Sequence, residues 1–180
     1  MKVASVEELI FPITVEAYHF LYENGLVEEK AELIEGVIYS KMPKNPIHSE
    51  ILRRIMKFLY SMGSDEFLIS TENPVTLNNS EPEPDIAILP PGDYSKSHPT
   101  SALLVLEVSN SSLSLDRKKA KTYAKGNIPE YVLVNLIDEK MEIYKNPKEG
   151  IYTEIRILSK EDVFTSESVK NLSFSLDLFL

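Results

Sequence analysis

The chain has 180 residues, of which 43% are hydrophobic, and it contains no cysteine. This length fits one domain with a single core, and the lack of cysteine excludes disulfides, thiolate zinc sites and a cysteine nucleophile. The sequence has no apolar run of about 18 residues and no basic N-terminal signal, so we expect a cytoplasmic protein without a membrane span. The net charge of −9 argues against a broadly basic surface, so phosphate contacts would need a local basic strip.

The N-terminal part is predicted to form a helix followed by a β-hairpin. Thr14 is a good N-cap, apolar residues follow it at helical spacing, and Gly25 should end the helix. Residues 32–39 then alternate around Gly36, which suits two short strands joined by a turn. We interpret this helix as a packing element.

An amphipathic helix is predicted after Pro46, because apolar residues recur at helical spacing from Ile51 to Met62. The helix is expected to pack on a sheet. Its polar side is either a solvated face or a set of phosphate contacts, and it carries Arg53, Arg54 and Lys57.

Two apolar runs in the middle of the chain each carry a carboxylate. Asp85 follows a proline at the entry to the run Ile86–Leu89, and Glu107 ends the run 102–106. Pro, Gly or Ser bounds both runs, which is typical of strands buried on both faces. Two carboxylates on neighbouring strands repel each other unless a cation lies between them. The pattern therefore predicts a site for a hard divalent metal.

A lysine-rich helix is predicted directly after these strands. At about 100° per residue, Lys119 lies about 40° from Tyr123 around the helix, whereas Lys121 lies about 160° away. Because Tyr123 belongs to the expected packed face, Lys119 flanks the side that faces the sheet. Composition alone leaves two alternatives open: one of Lys118, Lys119 and Lys121 acts at a site, or all are solvated surface lysines.

Further strands are predicted on both sides of this region. Residues 67–71 precede it as a strand and residues 74–80 as a strand end and turn, and residues 132–135, 141–144 and 151–158 follow it and should extend the sheet. Residues 172–180 are apolar enough to dock on the core, either as a helix or as a strand.

The stretch 81–131 resembles the PD-(D/E)XK nuclease superfamily. Asp85 after its proline matches the first half of the motif, and Glu107-Val108-Ser109 matches the second half. Ser109 stands where most superfamily members carry a lysine.

Within this superfamily the chain resembles the restriction-endonuclease family known as the Uma-two type. In that family the lysine lies on the following helix, in a pattern that reads here as Asp116, Lys119 and Tyr123. Residues 126–131, GNIPEY, are similar to the Gly-x-Pro-Glu-Tyr run of the family.

The resemblance implies an α/β, restriction-endonuclease-like fold with a central mixed β-sheet flanked by helices. It implies one domain over residues 1–180, with 1–45 as an N-terminal helix and hairpin extension. The implied activity is Mg²⁺- or Mn²⁺-dependent endonuclease hydrolysis of phosphodiester bonds in DNA. Asp85, Glu107 and the Val108 carbonyl would bind the metal, and Lys119 would assist the attacking water.

Two more residues match positions of the family. Glu32 lies in a stretch similar to the family's Glu-Leu-Ile-Asp-Gly, and His48 matches a family histidine. The resemblance makes both supporting site candidates. The alternatives are a solvated hairpin end for Glu32 and a helix-capping role for His48.

Two other functions stay open at this point. A non-catalytic protein of this fold could bind nucleic acid or a protein partner, which the acidic net charge favours. A hydrolase for small phosphate esters would use the same carboxylates. Cleavage of both DNA strands would suit a symmetric homodimer.

Overall fold

A computed structural model describes residues 10–63 and 65–180. In these residues the helices and strands follow one another as α1 (Val15–Glu23), β1 (Ala31–Ile34), β2 (Val37–Ser40), α2 (Pro46–Ser61), β3 (Leu68–Thr71), β4 (Ile86–Leu89), β5 (Leu104–Ser109), α3 (Leu113–Lys125), β6 (Glu130–Asn135), β7 (Lys140–Lys148), β8 (Ile151–Ser159), β9 (Val163–Thr165), β10 (Ser173–Ser175) and a 3₁₀ helix (Leu176–Leu178). Residues 1–9, which the predicted N-terminal extension includes, lie outside the described residues. None of the described helices combines the length and hydropathy that a bilayer crossing requires.

A six-stranded mixed sheet forms the centre of the fold, in the order β3-β4-β5-β6-β7-β8. Neighbouring strands are antiparallel except β5 and β6, which are parallel. Parallel neighbours need a crossover connection, and α3 supplies it. The predicted α/β architecture with a central mixed sheet is therefore confirmed.

Helices cover both faces of the sheet, so the central strands are apolar on both sides. On one face, Ile51 and Ile55 of α2 join a core cluster with Ile86 of β4. On the other face, Tyr123 of α3 joins a second cluster with Ala87 of β4. Alternate residues of one strand thus enter opposite cores, as expected for short, continuously apolar strands.

The α1 helix and the β1–β2 hairpin lie where the sequence predicts them. The Ala17 N–H donates to the Thr14 side chain at 3.2 Å, which caps α1. Gly36 has φ +77°, and a Cβ there would come within 2.4 Å of Pro12, so the hairpin turn requires glycine. The hairpin is tied to the body by Leu33, whose N–H and C=O bond the backbone of Glu81 at 3.3 and 2.7 Å. This attachment holds β1 beside the sheet.

The structure differs from the sequence prediction in two segments. The turn expected after Leu77 is present, with Asn78 at φ +48° and Leu77 paired with Ser80, but residues 74–76 form no strand before it. The C-terminal segment contains both a short strand, β10, and the 3₁₀ helix, and β10 pairs with β9, which the sequence analysis missed. Three-residue strands are too short to show a period.

Candidate active site

Asp85 and Glu107 hold each other in place through two crossing hydrogen bonds. The Asp85 backbone N–H donates to Glu107 Oε2 at 3.1 Å, and the Val108 N–H donates to Asp85 Oδ2 at 2.8 Å. Both carboxylates are buried. The two side chains therefore meet at one end of the sheet.

Strand register explains this meeting. Ile86 of β4 pairs with Leu106 of β5, so Asp85 and Glu107 occupy the next position along the two strands. Glu107 does not end its strand as expected, because β5 continues to Ser109 through its pairing with β6. The side chain of Glu107 takes the place of a backbone acceptor for the Asp85 N–H.

Lys119 reaches this pair from α3. Its Nζ lies 3.1 Å from Glu107 Oε1 and 3.0 Å from Glu32 Oε1, and the Tyr123 hydroxyl donates to the same Glu107 oxygen at 2.9 Å. Lys118 and Lys121 are exposed, whereas only 5% of Lys119 is accessible. Of these three lysines, Lys119 is the one that the helix turns toward the carboxylates.

Glu32 is not a solvated hairpin end. It is 3% exposed, and besides Lys119 it accepts the Glu83 N–H at 3.3 Å. Burial lowers the pKa of the Lys119 ammonium, but Glu107, Glu32 and Asp116 together outweigh it and raise that pKa above its ordinary value. Lys119 therefore stays protonated near neutral pH.

Asp85 contacts one residue from the first turn of α2 and one from the loop that precedes this helix. His48 Nε2 lies 3.0 Å from Asp85 Oδ2, and Lys44 Nζ donates to Asp85 Oδ1 at 2.8 Å. The helix cap is Asn45, whose side chain accepts the His48 N–H at 2.9 Å, so the capping interpretation of His48 was wrong. Burial raises the pKa of Asp85, but His48 and Lys44 prevail and lower it to about 2.

The pKa of Glu107 shifts in the opposite direction from that of Asp85. Complete burial, together with the charges of Asp85, Asp116 and Glu32, raises its pKa to about 8, although Lys119 opposes this shift. The pKa of Glu107 thus lies above the ordinary range of a carboxyl group and that of Asp85 below it, because Glu107 is buried beside other carboxylates whereas Asp85 contacts Lys44 and His48.

This raised pKa makes stability depend on pH. A carboxyl group whose folded pKa exceeds the unfolded value stabilises the fold at low pH, and that stability is lost as pH rises through the folded pKa. In metal-free protein the free energy of unfolding should therefore fall as the pH rises from 4.5, the ordinary pKa of a glutamic acid, to about 8. We expect Glu107→Gln to flatten this decline, measured by urea unfolding at a series of pH values. A wild type whose stability rises over that window would contradict the shift.

The carboxylates line an open pocket of about 470 Å³ that also contains Val108. Seven acidic side chains line it against four lysines, and these are Glu29, Glu32, Glu72, Glu83, Asp85, Glu107 and Asp116 against Lys30, Lys41, Lys44 and Lys119. Among the described residues, no group of three or more His, Cys, Asp or Glu side chains is arranged to hold a metal. The oxygens that could hold a metal at this pocket are those of the Asp85 and Glu107 carboxylates and of the Val108 carbonyl.

A larger cavity of about 670 Å³ lies between the end of α2 and β3. Its lining is mostly apolar and contains no carboxylate. The pocket at Asp85 is therefore the better candidate for phosphate chemistry, although it is smaller.

Sequence reasoning missed Lys44, which has no periodic signal because it lies in a loop between two prolines. Asp116 was noted only as part of a family pattern, yet it is buried and its Oδ1 lies 3.9 Å from Lys119 Nζ. Arg53 and Arg54 pair with Glu50 of their own helix, and Arg54 also donates to the Phe179 carbonyl at 3.0 Å.

Comparison with protein families matches residues 15–178 to the Uma2 family, described as "Putative restriction endonuclease". The chain belongs to this family. No curated protein matches the chain. Among solved structures it is similar to a protein from Anabaena variabilis ATCC 29413, described as "a putative nuclease belonging to DUF820". The TM-score is 0.74 at 19% identity, over 93% of this chain and 98% of that one, so the likeness establishes the fold.

The Uma2 match spans the helix and hairpin at the N-terminus as well as the sheet. Glu32 of the hairpin and Lys119 of α3 both fall inside the matched residues, and they form the ion pair described above. Family membership and the nuclease fold therefore cover every element that contributes to this pocket.

Proposed function

We propose that the chain is a metal-dependent endonuclease that hydrolyses phosphodiester bonds in DNA, with Asp85 and Glu107 as ligands of Mg²⁺ or Mn²⁺. The observation that carries this proposal is the meeting of Asp85, Glu107 and Lys119 at one pocket, joined by hydrogen bonds of 3.1 Å. Membership of the Uma2 family supports a nuclease. The substrate class and the residue roles are our inference.

The donor set suits a hard cation. Mg²⁺ is usually held by one or two carboxylates with water completing its shell, and the oxygens of Asp85, Glu107 and the Val108 carbonyl are of this type. The raised pKa of Glu107 indicates excess negative charge that a cation would relieve. When bound, the ion would supply an activated water and neutralise charge on the phosphate oxygens.

Lys119 is the best candidate for a charge stabiliser. Its raised pKa keeps the ammonium protonated, so it would donate a hydrogen bond to the attacking water or to a phosphate oxygen rather than accept a proton. Lys44 and His48 would hold Asp85 ionised and oriented, because both contact its carboxylate. Glu32 would fix the position of Lys119.

The charge of the pocket argues against the alternative of a protein that only binds nucleic acid. The pocket carries more carboxylates than lysines, so a phosphodiester would be repelled there unless a cation were bound. A purely binding surface gains nothing from this arrangement. We therefore favour the enzyme over a non-catalytic nuclease-fold protein that binds nucleic acid or a protein partner.

The experiment is a cleavage assay on supercoiled plasmid and on a labelled DNA duplex, with Mg²⁺, with Mn²⁺ and with a chelator. Metal-dependent nicking or linearisation that the chelator abolishes is the expected result. Binding of DNA without cleavage under all conditions would favour the non-catalytic alternative. A small aryl phosphate diester and monoester serve as comparison substrates, and faster turnover of these than of DNA would contradict the proposed substrate class.

Metal affinity should rise with pH. A ligand must lose its proton before it binds a metal, so below the Glu107 pKa of about 8 the affinity should increase about tenfold per pH unit and then level off. Isothermal titration calorimetry with Mn²⁺ in two buffers of different ionisation enthalpy would measure both the affinity and the released proton. Glu107→Gln should bind more weakly and without this dependence. The same pH dependence in wild type and variant would contradict the ligand role.

A further inference from the structure

Strand β8 forms one edge of the central sheet in the described part of the chain. Within residues 10–63 and 65–180, the only strand that pairs with β8 is β7. The edge is nine residues long, whereas the opposite edge strand, β3, has four. A long edge presents unpaired backbone N–H and C=O groups that can pair with another strand.

The side chains of β8 add apolar surface to this edge. Ile151, Ile155 and Ile157 are 60%, 59% and 65% exposed, and the spacing of two residues places Ile155 and Ile157 on the same face. Edge strands that must stay single often carry lysine, proline or charges of one sign, and residues 151–159 contain no lysine or proline. Their two charged residues, Glu154 and Arg156, have opposite signs, so they do not repel a strand of the same sequence in every register.

We propose that β8 pairs antiparallel with β8 of a second copy of this chain, about a two-fold axis at Ile155. Such an interface uses the same patch on both copies. The axis places Ile155 opposite the partner's Ile155 and Glu154 opposite the partner's Arg156. The reciprocal contact, Arg156 with Glu154 of the partner subunit, follows from the symmetry.

The charges of the strand select this register. An axis at Glu154 or at Arg156 would bring identical charges directly opposite each other, which destabilises a strand pair. An axis at Thr153 or at Ile157 would leave Arg156 opposite an uncharged residue. Only the axis at Ile155 pairs both charges with their opposites.

Because Glu154 and Arg156 flank Ile155, strand β8 is complementary in charge to a second copy of itself. Glu154 and Arg156 already form an ion pair within one chain, with Arg156 Nε 2.7 Å from Glu154 Oε1. The dimer would extend this pair into a ring of four alternating charges on one face, with isoleucines on the other face. An acidic or basic partner would match only one of the two charges, so a second copy is the occupant that fits best.

The dimer would leave the two candidate active sites separate. Strand β5 lies three strands from β8, and neighbouring strands are about 4.8 Å apart, so roughly 34 Å would separate the two copies of β5 across the interface. Loss of the dimer should therefore not disturb Asp85 or Glu107, and this inference can fail or hold independently of the proposed nuclease activity.

Sedimentation velocity of the full-length chain over a range of concentrations tests the proposal. Wild type should sediment as a dimer. Glu154→Arg and Arg156→Glu should each raise the dissociation constant by about tenfold or more, because each variant places two like-charge contacts at the interface. An equimolar mixture of the two variants should recover the dimer, since each glutamate would again face an arginine. Lys160→Glu, which changes the net charge by the same amount as Arg156→Glu, is the matched control for that variant and should remain dimeric.

Three results would overturn the proposal. Wild type could be monomeric at every concentration. Both charge-reversed variants could dimerise as tightly as wild type, which would place the interface elsewhere. The mixture could remain monomeric while each single variant has lost its dimer, which would exclude the Ile155 register.

Discussion

Asp85→Asn is expected to lose about 10³-fold or more of metal-dependent DNA cleavage. The amide keeps the shape of the side chain but removes the charge that would bind the cation, and a bound metal contributes several kcal/mol of transition-state stabilisation. About 4 kcal/mol corresponds to a 10³-fold change in rate. Single-turnover cleavage of a labelled duplex, together with Mn²⁺ titration by calorimetry, would measure both losses.

The matched control for this variant is Asp93→Asn. Asp93 is exposed, and its Oδ1 accepts the Ser95 N–H at 2.9 Å in a surface turn. The substitution makes the same chemical change away from the pocket, so cleavage and metal affinity should equal those of wild type. Metal binding by Asp85→Asn that matches wild type would remove Asp85 from the ligand set.

Lys119→Ala is expected to reduce cleavage by about 10²-fold or more, the scale of losing one well-placed charge stabiliser. The variant should also be less stable by about 3–5 kcal/mol, because removal of the ammonium leaves Glu32 and Glu107 buried without their cation. Cleavage rates and chemical denaturation measured in parallel separate the two effects. Circular dichroism would confirm that the assayed protein is folded.

Two further variants serve as controls for Lys119→Ala. Lys121→Ala changes an exposed lysine of the same helix and should match wild type in both measurements. Lys119→Arg retains a cation, so it should recover most of the stability, but it should not restore full activity because its planar fork cannot replace the point charge of lysine. A larger loss from Lys121→Ala than from Lys119→Ala would require another residue as the charge stabiliser.

Several features of the site could be read from single elements. The helical period alone places Lys119 next to Tyr123, and both side chains contact Glu107 in the structure. The apolar runs around Asp85 and Glu107 predict two buried strands. These inferences hold because a hydrophobic period of 2 in a strand or 3.6 in a helix shows which side of that element is buried. Residues separated by one period lie on the same side.

Other features depend on contacts between distant parts of the chain. His48 is 37 residues from Asp85 in sequence, and no local pattern distinguishes a histidine that caps a helix from one that contacts a carboxylate. Glu32 becomes a site residue only because the hairpin is tied to residue 81 and faces α3. The same applies to Lys44, which reaches Asp85 from a loop.

The sequence by itself determined the helices and the strands of the central sheet, the two carboxylates and the lysine on the sheet-facing side of α3, but not β9 or its pairing with β10. Tertiary structure alone decided that burial raises the pKa of Glu107 to about 8 against the effect of Lys119, while contacts with His48 of α2 and Lys44 of the preceding loop lower the pKa of Asp85 to about 2. It also decided that β8 is an edge strand. The physical reason is that desolvation, charge proximity and strand neighbours depend on which elements pack together, and a local period does not contain that information.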